Sequence, residues 1–466
     1  MTRNVHLLLA FGFCFVCNAF AVAADAPPSS TREPVPLTRD DMKRALDASK
    51  ESVPRLPLPP VTPEEEALIA EQKAKAAASG EKPRRLGLAN NGRMRAFYLP
   101  EYGFARSKDI DRARTDTNQS RNAESSFEPS FRTSLFWIVS RGNNCTYCLG
   151  HQESGLASRG MTDDQLAALD GDWSEFDAPK QAAFKFAHKL SFEPYAMTDK
   201  DIEALRAHYS EAQAIEIINA VAGFNATNRW TGPLRIKQDV SFQFVRPTSA
   251  SYASKVSRIA PVQAAASDKG AAPPKSRQRP ALESREEVAK ALAAAKTRKE
   301  RVKLADAAAT SALLSEQLAG KTPPEWTRLL AALPKVAPDR VTSYQAVFDK
   351  GTLDPRTKAI IAYVGARNDR AWYALGHAMA RLKALGMSDD QIFALDQPEK
   401  LTSPADREVV QFARQLTVDP ALIDDDDFAR MRKLMSDKLV AEVVYQTSQA
   451  AFFGRLTEAA GLRLEN

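Results

Sequence analysis

Apolar positions recur at helical spacing along most of the chain. Within residues 180–191 they fall on Ala183, Phe184, Ala187 and Leu190, one face of a helix. Within 212–229, Ile215, Ile218, Val221, Ala222 and Asn225 line up in the same way. Thr162-x-x-Gln165 and Ser388-x-x-Gln391 read as capping boxes that open two further helices, hydroxyl and amide each satisfying an orphan N–H. Strand-like alternation bounded by turns is scarce. The pattern therefore predicts an all-α protein.

Three stretches depart from helical periodicity. An apolar run over residues 5–24 follows Arg3 and ends in Ala21-Val22-Ala23, the layout of a secretory signal peptide spanning residues 1–24. An uncleaved anchor is the competing reading, since the run is almost long enough to span a bilayer. The Pro- and Ser-rich sequence after it favours cleavage and an exported, periplasmic or secreted protein. No other stretch is apolar enough to cross a membrane, so no transmembrane domain is expected in the mature chain. Residues 25–95 are rich in Pro and charge and read as a lead-in with one or two short helices. Residues 246–281 are rich in Ala, Ser, Pro and Lys without periodicity, the composition of an interdomain linker.

The regions flanking that linker repeat each other. A shift of 226 residues lays 128–229 over 354–455 without a gap. Leu149-Gly150-His151 meets Leu375-Gly376-His377, Gly160-Met161 meets Gly386-Met387, and Arg229 meets Arg455. Two copies of this length point to two domains, 96–245 and 282–466, rather than a solenoid. At 466 residues, 44% hydrophobic and 26% charged, the chain can bury a core in each. The formal charge of +6 is dispersed, so nucleic acid is not an expected partner.

Cysteine usage sharpens the chemistry. Cys14 and Cys17 lie in the signal, so the mature chain keeps only Cys145 and Cys148. Two cysteines make one local redox pair or half a metal site, not a disulfide framework. In Asn144-Cys145-Thr146-Tyr147-Cys148-Leu149-Gly150-His151, Asn144 reads as the N-cap of a new helix, with Cys145 in its first turn. Cys148 then comes one turn later on the same face, the two Cα atoms about 5 Å apart, a separation that admits a disulfide. The helix N-terminus favours thiolate, and His151 stands one turn beyond Cys148, placed to take its proton. A c-type haem requires His directly after the second Cys, where Leu149 stands, and zinc requires further ligands. The alternative of buried apolar filler is weighed against the fact that the only two mature cysteines form the pair. No cofactor is expected: the pair itself is the redox group, served by an external electron donor.

At these residues the sequence resembles the alkylhydroperoxidase D and carboxymuconolactone decarboxylase family, over roughly 96–245 and 320–466. Asn144 to His151 carries most of the likeness; Leu353-Asp354-Pro355-Arg356 and Asn225-Ala226-Thr227-Asn228-Arg229 resemble family features more loosely. The resemblance implies two tandem domains of the all-helical alkylhydroperoxidase D fold, and either a homo-oligomer or an intramolecular domain pair. It implies that Cys148 attacks a hydroperoxide, that Cys145 resolves it as a disulfide, and that His151 belongs to a proton relay. A thiol or disulfide reductant must then restore the pair. The family's thiol branch has a Glu about twelve residues before the first Cys, where this chain has Thr133; Glu128 or Glu153 is the expected substitute, or the relay is incomplete. The second copy has Ala371 and Ala374 in place of the cysteines but keeps Tyr373 and His377, a remnant without thiol chemistry. His188 and His208 are expected at the surface or in packing. A lactone decarboxylase and a non-catalytic exported scaffold are the competing functions.

Overall fold

The computed structural model describes residues 34–80, 86–104, 125–261 and 279–465. The signal segment and residues 262–278 of the linker lie outside them. Among the described residues the fold is all-helical, with 21 α-helices and a single isolated bridge, Thr38 to Val256, in place of any strand. No helix there is long and apolar enough to cross a membrane.

The lead-in forms α1 (Arg39–Ala48), α2 (Pro63–Ser79) and α3 (Asn90–Tyr98). It is more helical than its composition suggests. Pro63 sits at the first helical position, where its missing N–H costs nothing, and Thr62 with Glu65 closes a capping box. The Ala- and Glu-rich remainder of α2 then propagates on intrinsic propensity with little apolar periodicity to advertise it. The lead-in clamps onto the rest of the chain through ion pairs. Arg39 is buried against Glu153 and Asp163, at 2.6 and 2.8 Å, and Arg55 reaches across to Asp425 at 2.6 Å.

Six helices come next: α4 (Pro129–Gly142), α5 (Thr146–Ala157), α6 (Asp163–Ala168), α7 (Ala178–Phe192), α8 (Asp199–Arg206) and α9 (Glu211–Thr231). A short α10 (Ala250–Ala253) precedes five connecting helices: α11 (Arg285–Thr297), α12 (Ala307–Leu313), α13 (Ser315–Leu318), α14 (Glu325–Ala331) and α15 (Ala337–Asp349). The last six are α16 (Pro355–Asp369), α17 (Trp372–Ala384), α18 (Asp389–Ala394), α19 (Pro404–Val418), α20 (Asp425–Leu434) and α21 (Asp437–Ala459). Each of α16–α21 starts 226 residues after its counterpart among α4–α9, as Pro355 does after Pro129 and Asp437 after Glu211. Interactions recur in the same register: Arg141 pairs with Asp170 at 2.9 Å, and Arg367 with Asp396 at 3.1 Å.

The two longest of these helices, α9 and α21, form the most extensive helix pair in the molecule. Neither has a sharply one-sided apolar face, and most residues of each are buried. Ile215, Ile218 and Val221 of α9 and Val440, Val444 and Phe452 of α21 are buried. Each helix also packs on its own set, α9 on α4 and α7, α21 on α16 and α19. Arg229 of α9 is fully buried and donates to the Thr417 carbonyl of α19 at 2.9 Å, a charged hydrogen bond from one set to the other. The stretch read as the start of the linker is not free either. Ser257 N–H donates to the Leu37 carbonyl at 2.7 Å, and Ile259 is buried. Its composition carries no periodicity because it docks as irregular chain.

Candidate functional site

The link between α4 and α5 is three residues long, Asn143, Asn144 and Cys145. So short a reversal needs a residue in the left-handed region, and Asn144 supplies it at φ 50°. Asn144 is therefore not the N-cap of α5. Cys145 is, with its Sγ accepting from the Cys148 N–H at 3.4 Å. The turn is fixed from behind by α9: the Asn143 amide donates to Asn225 and Asn228 at 3.1 and 3.0 Å, and Asn228 donates to Ser140 at 3.1 Å. This is the structural task of the Asn225–Arg229 stretch.

Both cysteines are free and buried. Their sulfurs share one hydroxyl, Thr231 Oγ1, at 3.1 Å from Cys145 and 2.9 Å from Cys148. The pair is electrostatically asymmetric. Burial pushes the Cys145 thiol up, but hydrogen bonds from the Cys148 thiol, the Thr231 hydroxyl and the Cys148 N–H outweigh it and hold Cys145 below the usual thiol range. Burial pushes Cys148 well above that range, and the neighbouring Cys145 charge adds to the effect. The asymmetry favours the thiolate on Cys145 over that on Cys148. Only Cys148 lines the large cavity beside the pair, together with Tyr147, His151 and Gln152.

His151 Nε2 lies 2.8 Å from Asp239 Oδ1. Tyr147 donates its hydroxyl to Asp239 Oδ2 at 3.2 Å, and its ring packs on His151 with centroids 4.6 Å apart. Asp239 belongs to the irregular chain after α9, which crosses α5 closely enough that a Cβ on Gly150 would stand 2.0 Å from Gln238 Nε2. Glycine is required there by approach rather than by φ. The expected carboxylates are elsewhere. Thr133 bonds its own helix at Pro129 O, Glu128 is exposed, and Glu153 is engaged by Arg39 and by Trp137 Nε1 at 2.6 Å. The carboxylate beside His151 is Asp239, and extending the 226-residue register ten positions past Arg229 would have found it, because Asp239 then meets Glu465.

The second set repeats this arrangement without sulfur. His377 lies 3.1 Å from Glu465, Tyr373 donates to Glu465 at 2.8 Å, and the two rings are again 4.6 Å apart. Ala371 and Ala374 stand where the cysteines would be. Gly232, whose Cβ would come within 3.8 Å of Cys145 Cβ, is replaced by Glu458, which accepts from the Trp372 N–H at 3.1 Å and pairs with Arg298 at 3.0 Å. A carboxyl group thus occupies the helix N-terminus that Cys145 occupies in the first set. His188 stacks on Phe192 at 4.3 Å, and His208 is exposed.

Among the described residues no group of three or more His, Cys, Asp or Glu side chains is arranged to hold a metal. What the arrangement offers is thiol chemistry: an open-sided thiol, a second sulfur behind it biased to thiolate, and an oriented imidazole one turn away. No family model matches the chain and no curated protein matches it, so the assignment of this site rests on its own residues and geometry.

Proposed function

We propose that the chain is an exported protein of two tandem alkylhydroperoxidase D-like domains, the first a thiol-dependent peroxidase working through Cys145 and Cys148. The observation that carries this reading is the placement of Cys148 on the cavity wall with Cys145 behind it, both sulfurs on Thr231 Oγ1. The recurrence of six helices at one register supports the two domains, and the α9–α21 pairing supports an intramolecular domain pair.

The geometry suits a two-step reduction of a hydroperoxide. Cys148 passes its proton to His151, and its sulfur attacks the terminal peroxide oxygen. The O–O bond breaks, and the leaving alkoxide takes a proton to become an alcohol. Cys148 is now a sulfenic acid. The Cys145 thiolate attacks that sulfur, the S–S bond forms, and the departing hydroxide is protonated to water. Two electrons have moved from the sulfur pair to the peroxide, and an external dithiol returns them by exchange. Asp239 and Tyr147 position His151 for both proton transfers.

Substituting each cysteine by Ser tests the assignment. Cys148→Ser should abolish peroxide consumption, whereas Cys145→Ser should consume one equivalent and stop with a trappable sulfenic acid on Cys148. Undiminished turnover by the Cys148→Ser protein would remove the peroxidase reading.

A further inference from the structure

The carboxylate beside His151 is held from outside the six-helix set. Asp239 Oδ1 lies 2.8 Å from His151 Nε2. Its Oδ2 accepts from the Tyr147 hydroxyl at 3.2 Å and from the backbone N–H of Asn90. Asn90 is the first residue of α3, so that N–H is one of the donors a helix leaves without an internal partner. The next of them, on Asn91, donates to the Tyr147 hydroxyl at 3.3 Å. Two successive N–H groups of one helix end thus reach both side chains that touch His151, Asp239 through its carboxylate and Tyr147 through its ring.

Side chains fix the approach of α3. Asn90 is buried, and its Nδ2 donates to the Lys237 carbonyl at 2.9 Å, two residues before Asp239. Buried Trp230 of α9 donates from Nε1 to Asn91 Oδ1 at 2.7 Å, which ties α3 to the helix that also carries Thr231. The second set repeats the arrangement. Glu325, the first residue of α14, donates its N–H at 2.6 Å to Glu465, the carboxylate beside His377. Asn90 and Glu325 both precede the ungapped repeat, which starts at 128 and 354. Each set therefore recruits a helix end from its own leading segment to the carboxylate that faces its histidine.

We propose that the first turn of α3 is a positioning element of the thiol site, its Asn90 and Asn91 N–H groups setting Asp239 and Tyr147 so that His151 can take the Cys148 proton. A carboxylate pinned at Oδ2 by an amide presents Oδ1 to the imidazole in one orientation, and that contact orients the ring. A negative charge is also favoured at a helix N-terminus, so α3 steadies Asp239 as well as aiming it. The proposal rests on His151 as the base of the peroxidase reading, but the proton transfer it concerns needs no peroxide. It makes the lead-in part of the working site rather than a tether.

The test uses the full mature chain and a proline. Proline is accepted at the first position of a helix, and Ala89 already has the extended backbone, φ −62° and ψ 139°, that a residue before proline adopts. Asn90→Pro removes the N–H to Asp239 and keeps the helix. Asn90→Ala is its control, losing the side chain but keeping the N–H. Alkylation of Cys148 by iodoacetamide in the reduced protein, read by peptide mass, reports the base without any peroxide. Asn90→Pro should be alkylated about tenfold more slowly than Asn90→Ala, the low end of what a hydrogen bond to a charged group contributes. Added to His151→Ala it should cause no further slowing, because a positioning residue acts only through the imidazole. Equal rates in the two Asn90 proteins, or a proline effect that persists without His151, overturns the proposal. If Asn90→Pro does not fold, an ester in place of the 89–90 peptide bond removes the same N–H and is judged by the same two comparisons. An effect on alkylation that requires His151, in a protein that consumes no peroxide, keeps the proposal and removes the peroxidase reading instead.

Discussion

Thr231→Val isolates the group that both sulfurs share. Valine keeps the shape and removes only the hydroxyl, which lies 3.1 Å from Cys145 and 2.9 Å from Cys148 and also donates to the Thr227 carbonyl at 2.9 Å. A hydrogen bond to a charged group contributes about 1.5–3 kcal/mol. Here one hydroxyl proton is divided between a thiolate and a carbonyl, so the lower end of that range applies. That is roughly one pKa unit. The sign comes from the depressed Cys145 thiol: losing a bond that favours the charged form moves its ionisation upward, toward the ordinary thiol value. The pair titrates in two macroscopic steps, the second raised well above the ordinary thiol value by burial and by the charge already on the neighbouring sulfur. Thiolate absorbance against pH should show the first step rising by about one unit in the variant, and disulfide formation below that step slowing about tenfold. The fold should hold, since the Thr227 carbonyl retains its helical partner. An unmoved first step in a folded variant would refute the claim that Thr231 stabilises the thiolate.

Three further outcomes are expected from the same contacts. Asp239→Asn should leave both thiols titratable but lower peroxide turnover by about tenfold to a hundredfold, because His151 loses the carboxylate that orients it; steady-state kinetics beside a thiol count separates this from misfolding. Arg39→Ala leaves Glu153 buried without its 2.6 Å partner and should cost about 3–5 kcal/mol in denaturant unfolding, where a loss under about 1 kcal/mol would show the pair to be dispensable. Deleting residues 281–466 strips α21 from α9 and uncovers the surface the two helices bury against each other, so the remainder should aggregate on size exclusion. A soluble monomer with full activity would contradict that dependence.

Much of the helical layout is legible in the sequence because its signals are local. Thr162 with Gln165 and Ser388 with Gln391 form the capping boxes their spacing predicts, and the ungapped repeat foretells helix starts in the second set from those in the first. The site is legible as far as Cys145, Cys148 and His151, which one helical turn after another brings together. Asn144 misleads because its two local preferences compete: it is a good N-cap and a tolerant left-handed residue, and the shortness of the α4–α5 link selects the second. Asp239 is hidden for another reason. It reaches His151 from far along the chain through irregular backbone, and no periodicity encodes such a contact. The residues of α15 that wall the cavity are hidden in the same way, since only tertiary packing brings them opposite α5.

The redox activity proposed for the Cys145–Cys148 pair is tested most directly by thiol titration of the purified mature protein. Thiols are counted before and after reduction, and the reduced protein is then given one equivalent of a hydroperoxide. A redox-active pair should show two thiols in the reduced protein and lose both to an intramolecular disulfide after the pulse. Two thiols that persist through both peroxide and disulfide exchange would reduce the pair to packing and contradict the proposal.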